Sequence, residues 1–141
     1  MINRLLVVCI GAFLAICLAG AHGAPKSKLD LSKIPAASTK TGVAYATDIK
    51  PIFDKSCVRC HGAEKPKARL RLDTLEGALK GGAHGKMILP GNSLGSVLLH
   101  NVAQAGPRGD YMPPPRNKAN IPPLTQEEVS LIRAWIDQGA K

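Results

Sequence analysis

The sequence is poor in aromatic and acidic side chains. Its 141 residues include two Phe, two Tyr and one Trp, and 10 acidic residues stand against 19 Lys and Arg, which gives a net charge of +9. This length leaves room for one modest domain and excludes a large multidomain enzyme. The apolar fraction of 45% is too high for a disordered charged tail and too low for a polytopic membrane protein.

The longest apolar run lies at the N-terminus. Arg4 precedes a run from Leu5 to Ala19, and small residues follow it up to Ala24. This order is typical of a secretory signal peptide, so we expect cleavage after Gly23 and a periplasmic or otherwise exported protein. Cleavage after Ala21 satisfies the small-x-small rule equally well. An uncleaved membrane anchor is the alternative, although the run is shorter than the roughly 18 apolar residues of a spanning helix.

Cysteine is scarce in the predicted mature chain. Cys9 and Cys17 lie in the signal peptide, residues 1–23, so Cys57 and Cys60 are the pair that remains, and the net charge falls from +9 to +8 with the loss of Arg4. An exported protein with one close cysteine pair is not a scaffold of many disulfides.

Composition divides the mature chain into two parts. Residues 24–42 are rich in Pro, Lys, Ser, Thr and Ala without a helical or strand period, which predicts a flexible linker. Residues 43–141 form one predicted domain. Its few aromatic side chains allow only a thin core, so another group is expected to fill part of its interior.

Apolar residues at helical spacing predict four helices in this domain. They are expected from Thr47 or Asp48 to Cys57, from Thr74 to Lys80, from Ser93 to Gly106, and from Gln126 to Gln138. On the third, Leu94, Val97, Leu98 and Val102 share one apolar face. Residues 69–73 alternate with period 2, which favours an extended segment.

The last helix has the strongest local signals. Thr125 and Glu128 form a capping box, and Leu124 and Val129 occupy the positions of a hydrophobic staple. The helix face that carries Trp135 is apolar over about half the circumference, so it must be buried against another element.

The residues that indicate chemistry are Cys57-Val58-Arg59-Cys60-His61. C-x-x-C-H is the attachment motif of c-type haem, in which two thiols bond to the porphyrin vinyl groups and the histidine ligates iron. Three alternatives remain open. A thioredoxin-like redox pair needs a βαβ setting, a zinc site needs further ligands, and a short-loop disulfide leaves His61 without a role.

A second axial ligand has to come from elsewhere in the chain. Met112 is our prediction, because the prolines that follow it hold the segment extended and stiff. Met87 and His84 in a glycine-rich loop are second choices, and His100 is expected to face solvent.

The chain resembles the small class I c-type cytochromes, and among them the planctomycete-type cytochrome c domain, over residues 45–140. The resemblance implies an all-α fold of the small class I type, with helices around one covalently bound haem c and a Gly/Pro-rich loop insertion. It also implies that His61 and Met112 are the axial ligands. The shared landmarks are Pro51-Ile52, Cys57 to Gly62, Leu70 to Asp73, Gly81-Gly82, Pro90-Gly91, Ser96 with Leu98, Met112-Pro113-Pro114, Trp135-Ile136 and Gly139-Ala140.

Iron with imidazole on one face and thioether on the other has no open position for a substrate. The expected function is therefore single-electron transfer between redox partners, and not enzymatic catalysis. Two rival functions stay open. A haem peroxidase or gas-binding sensor would have an open distal site, and a docking module of an envelope complex would use haem structurally.

Positive charge is dense around the attachment motif. Residues 50–71 contain seven basic and two acidic side chains. This distribution favours redox partners with acidic faces, although an ordinary solvated surface has the same pattern. Nucleic acid is a poor partner, because no aromatic residues interleave the basic ones. We expect membrane contact only through associated complexes or an uncleaved N-terminal anchor.

Overall fold

The computed structural model describes residues 28–141, in which five short α-helices alternate with irregular segments. The predicted signal peptide and residues 24–27 of the predicted linker lie outside the described residues. No β-strand occurs in the described part, which is compatible with the expected all-α class. The helices are α1 (Lys50–Ser56), α2 (Val58–His61), α3 (Leu75–Lys80), α4 (Val97–Val102) and α5 (Gln126–Asp137).

Helix α5 follows the local signals of its sequence. Thr125 Oγ1 accepts a hydrogen bond from Glu128 N (3.2 Å), and Glu128 Oε2 accepts one from Thr125 N (2.9 Å), so the predicted capping box is confirmed. The helix ends at Asp137 with Gln138 as its C-cap. Its predicted apolar face is buried, and the buried side chains are Val129, Ile132, Ala134, Trp135 and Ile136.

An aromatic cluster joins the first and last helices of the domain. The Trp135 ring lies 5.9 Å from Tyr45 and 6.2 Å from Phe53, measured between ring centroids, and it is edge-on to Phe53. Tyr45 belongs to a π-helical turn, Tyr45–Ile49, that leads into α1. Its hydroxyl donates to Leu72 O (2.9 Å). Three of the few aromatic side chains therefore pack at one point, which anchors α1 and the segment around Leu72 against α5.

Helix α4 is shorter than its periodicity predicts. It begins at Val97, because Ser93 to Ser96 form a turn in which Gly95 N donates to Asn92 Oδ1 and Ser96 Oγ donates to Asn92 O. The predicted apolar face is therefore wrong at two positions, because Leu94 is 46% exposed and Val97 is 43% exposed. The side-chain hydrogen bonds of the turn compete with helical ones.

The segment with period 2, residues 69–73, is extended only in part: Arg69 ends a 3-10 turn with a φ of +56°, and Leu70 after it is extended. Leu70 and Leu72 are buried while Arg69 is exposed, as the alternation predicts. The segment does not pair with a second strand within the described residues. Instead, Leu72 N donates a hydrogen bond to His61 O (2.7 Å). The segment therefore lies against the end of the C-x-x-C-H motif.

Residues 28–42 differ from the predicted flexible linker. Ile34 is buried, and the segment is hydrogen-bonded to α5 through Arg133 to Pro35 O (2.6 Å) and Ser130 to Ala36 O (2.6 Å). Asp30 N also donates to Ala105 O (2.7 Å). These partners are far away in sequence, so composition alone could not reveal them.

In residues 28–141, no helix has the length and apolar character needed to cross a membrane.

Candidate functional site

The motif Cys57 to His61 consists of the C-cap of α1 and the single turn of α2. Cys57 O accepts hydrogen bonds from Cys60 N (3.0 Å) and His61 N (2.9 Å). Both cysteines are free thiols, with Cys57 buried at 5% exposure and Cys60 partly exposed. The turn brings both thiols and the imidazole to one small cavity of about 30 Å³, which we call the thiol cavity.

The His61 ring is fixed by one hydrogen bond. Its Nδ1 lies 3.1 Å from Leu70 O. Because a carbonyl oxygen only accepts, Nδ1 carries the proton, and Nε2 keeps a free lone pair. Burial lowers the pKa of His61, so the ring is neutral at neutral pH. A neutral imidazole whose second nitrogen donates to a backbone carbonyl is the usual arrangement of a metal-ligating histidine.

The Cys57 thiol is poorly suited to disulfide exchange. Burial raises the pKa of Cys57 to about 12, and the charges of Cys60 and Glu128 act in the same direction. A thiol with this pKa is protonated at neutral pH, whereas redox-active cysteine pairs rely on a thiolate. This property of Cys57 weighs against the thioredoxin-like alternative.

His61 and Met112 come together at a pair of adjoining cavities. Met112 lines the thiol cavity and also a larger cavity of about 260 Å³, which we call the main cavity. His61 and Pro114 likewise line both, so the two spaces share a wall. The main cavity alone is somewhat smaller than the range of about 300–1,000 Å³ for small-molecule sites. His61 and Met112, a nitrogen and a thioether donor, thus line both cavities, and the thiol cavity also reaches the two thiols.

The other candidate ligands occupy different positions. Met87 and His84 line the main cavity but not the thiol cavity. His100 Nε2 lies 2.8 Å from Leu94 O, and the ring lines neither cavity. Of the four candidates, only Met112 shares both cavities with His61. In the described part of the chain, no three His, Cys, Asp or Glu side chains form a group that could hold a metal ion.

Backbone and amide contacts hold the Met112 segment in place. Met112 N donates to Asn101 O (3.1 Å) at the end of α4. Asn117 donates from Nδ2 to Pro114 O (2.9 Å) and Ile121 O (2.8 Å), and it accepts from Ile121 N (2.8 Å). Asn101, Asn117 and the Leu70 carbonyl were not predicted from the sequence. An asparagine after a proline run is a turn signal that could have indicated Asn117, but nothing in the neighbouring sequence marks Asn101 or the Leu70 carbonyl.

The glycine-rich loop closes one side of the main cavity. Gly81 has a φ of +84°, and a Cβ there would lie 2.3 Å from Gly85 O. The close approach of these two residues therefore requires glycine at position 81. The narrow loop places His84 and Met87 on the cavity wall.

A basic groove of about 370 Å³ lies beside Cys60. It brings Arg59 and Lys67 together with Arg116 and Lys118 from the Met112 segment. Three other cations of the predicted basic region are ion-paired: Lys50 with Asp54, Lys55 with Glu128 and Arg71 with Asp73. Lys65 and Arg69 are exposed outside the groove and form no ion pair within the described residues. The groove therefore holds part of the unpaired positive charge around the motif.

Comparison with known proteins agrees with this site. Residues 57–116 match a protein family described as Planctomycete cytochrome C. The match begins at Cys57 and includes Met112, so the resemblance inferred from the sequence is confirmed for this region and supports a planctomycete-type cytochrome c domain. Helices α1 and α5 lie outside the match. No curated protein and no solved structure matches the chain.

Proposed function

We propose that this chain, which carries a planctomycete-type cytochrome c domain, is an exported electron carrier with one haem c. The observation that supports the proposal best is that His61 and Met112 line the same two cavities, one of which also contains Cys57 and Cys60. The sequence has a single C-x-x-C-H motif, so one haem is expected.

Each residue has a distinct role in this proposal. Cys57 and Cys60 form the two thioether bonds. His61 Nε2, oriented by the bond from Nδ1 to the Leu70 carbonyl, and the Met112 sulfur would bind the haem iron. Haem iron that is bound on both faces exchanges one electron with little structural change.

A carrier is favoured over a peroxidase or gas sensor. Those functions need an open position on the distal side of iron. Here the backbone of Met112 is held by Asn101 O, and the segment that follows it is held by Asn117, so a potential ligand is fixed at the cavity. A purely structural docking role is a less specific explanation of a site with both a nitrogen and a thioether donor.

The proposal is tested on the exported protein from cells that assemble c-type cytochromes. A denaturing gel stained for haem should show one coloured band, and N-terminal sequencing of that band should begin at Ala24, or at His22 if the cut follows Ala21. Visible spectra should show a reversible one-electron change, without carbon monoxide binding by the reduced native protein. A colourless product would refute haem attachment, and carbon monoxide binding without denaturant would favour the sensor or peroxidase.

The basic groove is the proposed docking surface for an acidic redox partner. Cys60 borders this groove and is more exposed than Cys57, so the proposed haem edge nearest to solvent lies among positive side chains. Opposite charge on the partner would speed encounter at low ionic strength, and salt would slow it.

Charge reversal in the groove provides a quantitative prediction. In an Arg116→Glu, Lys118→Glu variant, oxidation of the reduced protein by ferricyanide should slow by about tenfold at low salt, because local attraction of the anion is lost. Oxidation by the cation tris(phenanthroline)cobalt(III) should become faster. Stopped-flow absorbance measures both rates.

The matched control is a Lys28→Glu, Lys86→Glu variant, which changes net charge equally at two exposed positions that do not line the groove. It should change both rates much less. Equal effects of the two variants would mean that net charge alone matters, and the groove would lose its proposed role.

A further inference from the structure

An N-terminal brace connects the last helix with the segment that precedes Met112. We use this name for residues 30–38, all of which lie outside the family match. The bonds of Arg133 and Ser130 described above fix the second half of the brace to α5, and Ile34 is buried at 8% exposure. The brace therefore has a fixed position, because α5 is itself packed against α1 through the aromatic cluster.

Residues 103–111, which lead from α4 to the proposed thioether ligand, are bonded to this brace. Asp30 N donates to Ala105 O (2.7 Å), and Lys33 Nζ donates to Gln104 O (3.2 Å). In the described part of the chain, the other hydrogen bonds of residues 103–111 join near neighbours in sequence. The brace is therefore the element that supplies this segment with hydrogen bonds from a distant part of the sequence.

Lys33 contacts both ends of the same segment. Its ammonium donates to Gln104 O at the start and lies over the Tyr111 ring at the end, 5.8 Å from the ring centroid. A cation within about 6 Å of an aromatic centroid is attracted by the electrons of the ring face. Tyr111 directly precedes Met112 and lines the main cavity. One ammonium thus joins the start of the segment to the residue next to the proposed ligand.

The position of this segment matters because methionine is a flexible ligand. Its side chain has three rotatable bonds, so the backbone on either side has to place the sulfur. The Asn117 contacts hold the residues that follow Met112, and the brace holds those that precede it. Loss of the hold on the preceding residues would raise the fraction of protein in which the thioether is detached from iron.

We propose that Lys33 is a positioning residue for Met112, through which the brace ties the ligand segment to α5. This inference rests on the proposed function and adds a role for residues outside the family match. It assigns the stability of the iron–thioether bond in part to an exposed lysine in a region with the composition of a linker.

Titration of the ferric, exported holoprotein with imidazole tests this role. Imidazole binds the iron only when the thioether has left it, so its apparent dissociation constant reports the detached fraction. Lys33→Met keeps the apolar stem and removes the ammonium, so this constant should fall about fivefold. Lys33→Arg should restore the wild-type constant, because a guanidinium also donates to a carbonyl and lies over an aromatic ring. Visible absorbance follows the titration.

Lys40→Met is the matched control. It removes the same charge from another exposed lysine of the N-terminal region, but Lys40 is ion-paired with Asp48 before α1 and not with the ligand segment. It should leave the constant for imidazole near the wild-type value. Thermal unfolding followed by circular dichroism should show similar midpoints for Lys33→Met and Lys40→Met, so that a change in imidazole binding is not a general loss of stability.

The outcomes separate this inference from the proposed function. A wild-type protein without haem, or one in which Met112→Ala does not tighten imidazole binding, would refute the assigned thioether ligand and with it both proposals. A wild-type protein in which Met112→Ala tightens binding, while Lys33→Met does not or Lys40→Met has an equal effect, would refute the positioning role alone.

Discussion

Replacement of Cys57 and Cys60 together by alanine is expected to abolish haem attachment and to lower the thermal stability of the domain severely. No stained band should remain on a denaturing gel, because both thioether bonds are lost. We expect the midpoint of thermal unfolding, followed by circular dichroism, to fall by at least ~10 °C, or the cooperative transition to disappear.

The size of this effect follows from how little regular structure surrounds the motif. Helix α2 has four residues and α1 has seven, and neither has a side-chain N-cap. Helices of this length are unstable in isolation, so tertiary contacts must hold them. A group bound through two thiols and two further side chains would supply such contacts only in the folded state, which stabilises that state.

Two controls distinguish lost attachment from lost packing. Val58→Ala removes a partly buried side chain between the cysteines and spares both thiols, so it should keep the haem and most of the stability. Cys9→Ala with Cys17→Ala changes the same residue type within the predicted signal peptide and should leave the stained band intact. A double variant at Cys57 and Cys60 that unfolds like the wild type would show that the domain does not depend on haem.

The sequence predicted those parts of the structure that depend on neighbouring residues. The capping box at Thr125 and Glu128 and the buried face of α5 are confirmed, because caps and helical faces are set by residues a few positions apart. The predicted end of α3 at a glycine is confirmed for the same reason, because Thr74 is the N-cap of this helix and Gly81 is its C-cap. In α4, the turn formed by Asn92 and Ser96 replaced a helix that the apolar spacing had favoured.

Contacts between distant residues could not be predicted in this way. The Leu70 carbonyl orients His61, but backbone atoms have no sequence signature. Arg116 and Lys118 join the groove at Cys60 only because the chain returns there after α4. Residues 28–42 have the composition of a linker, yet distant α5 residues supply their hydrogen bonds.

Met112→Ala is expected to open one face of the iron. The reduced variant should bind carbon monoxide without denaturant, whereas the wild type should not. Its reduction potential should fall by on the order of 0.1 V or more, because a thioether ligand favours the ferrous state and axial ligands tune haem potentials over a range of about 0.8 V. Potentiometric titration and the visible spectrum of the carbon monoxide complex measure the two effects.

Met87→Ala is the matched control for this substitution, since both methionines are partly buried, pack against the hydrophobic core and line the main cavity. Only Met112 also reaches the thiol cavity with His61, so loss of the Met87 side chain should leave the potential and the closed coordination nearly unchanged. The reverse result would assign the thioether ligand to Met87. If neither variant bound carbon monoxide, His84 would become the candidate, and His84→Ala would then have to open the iron. Because each of these three side chains lines the main cavity, the comparison separates ligation of iron from simple packing around it.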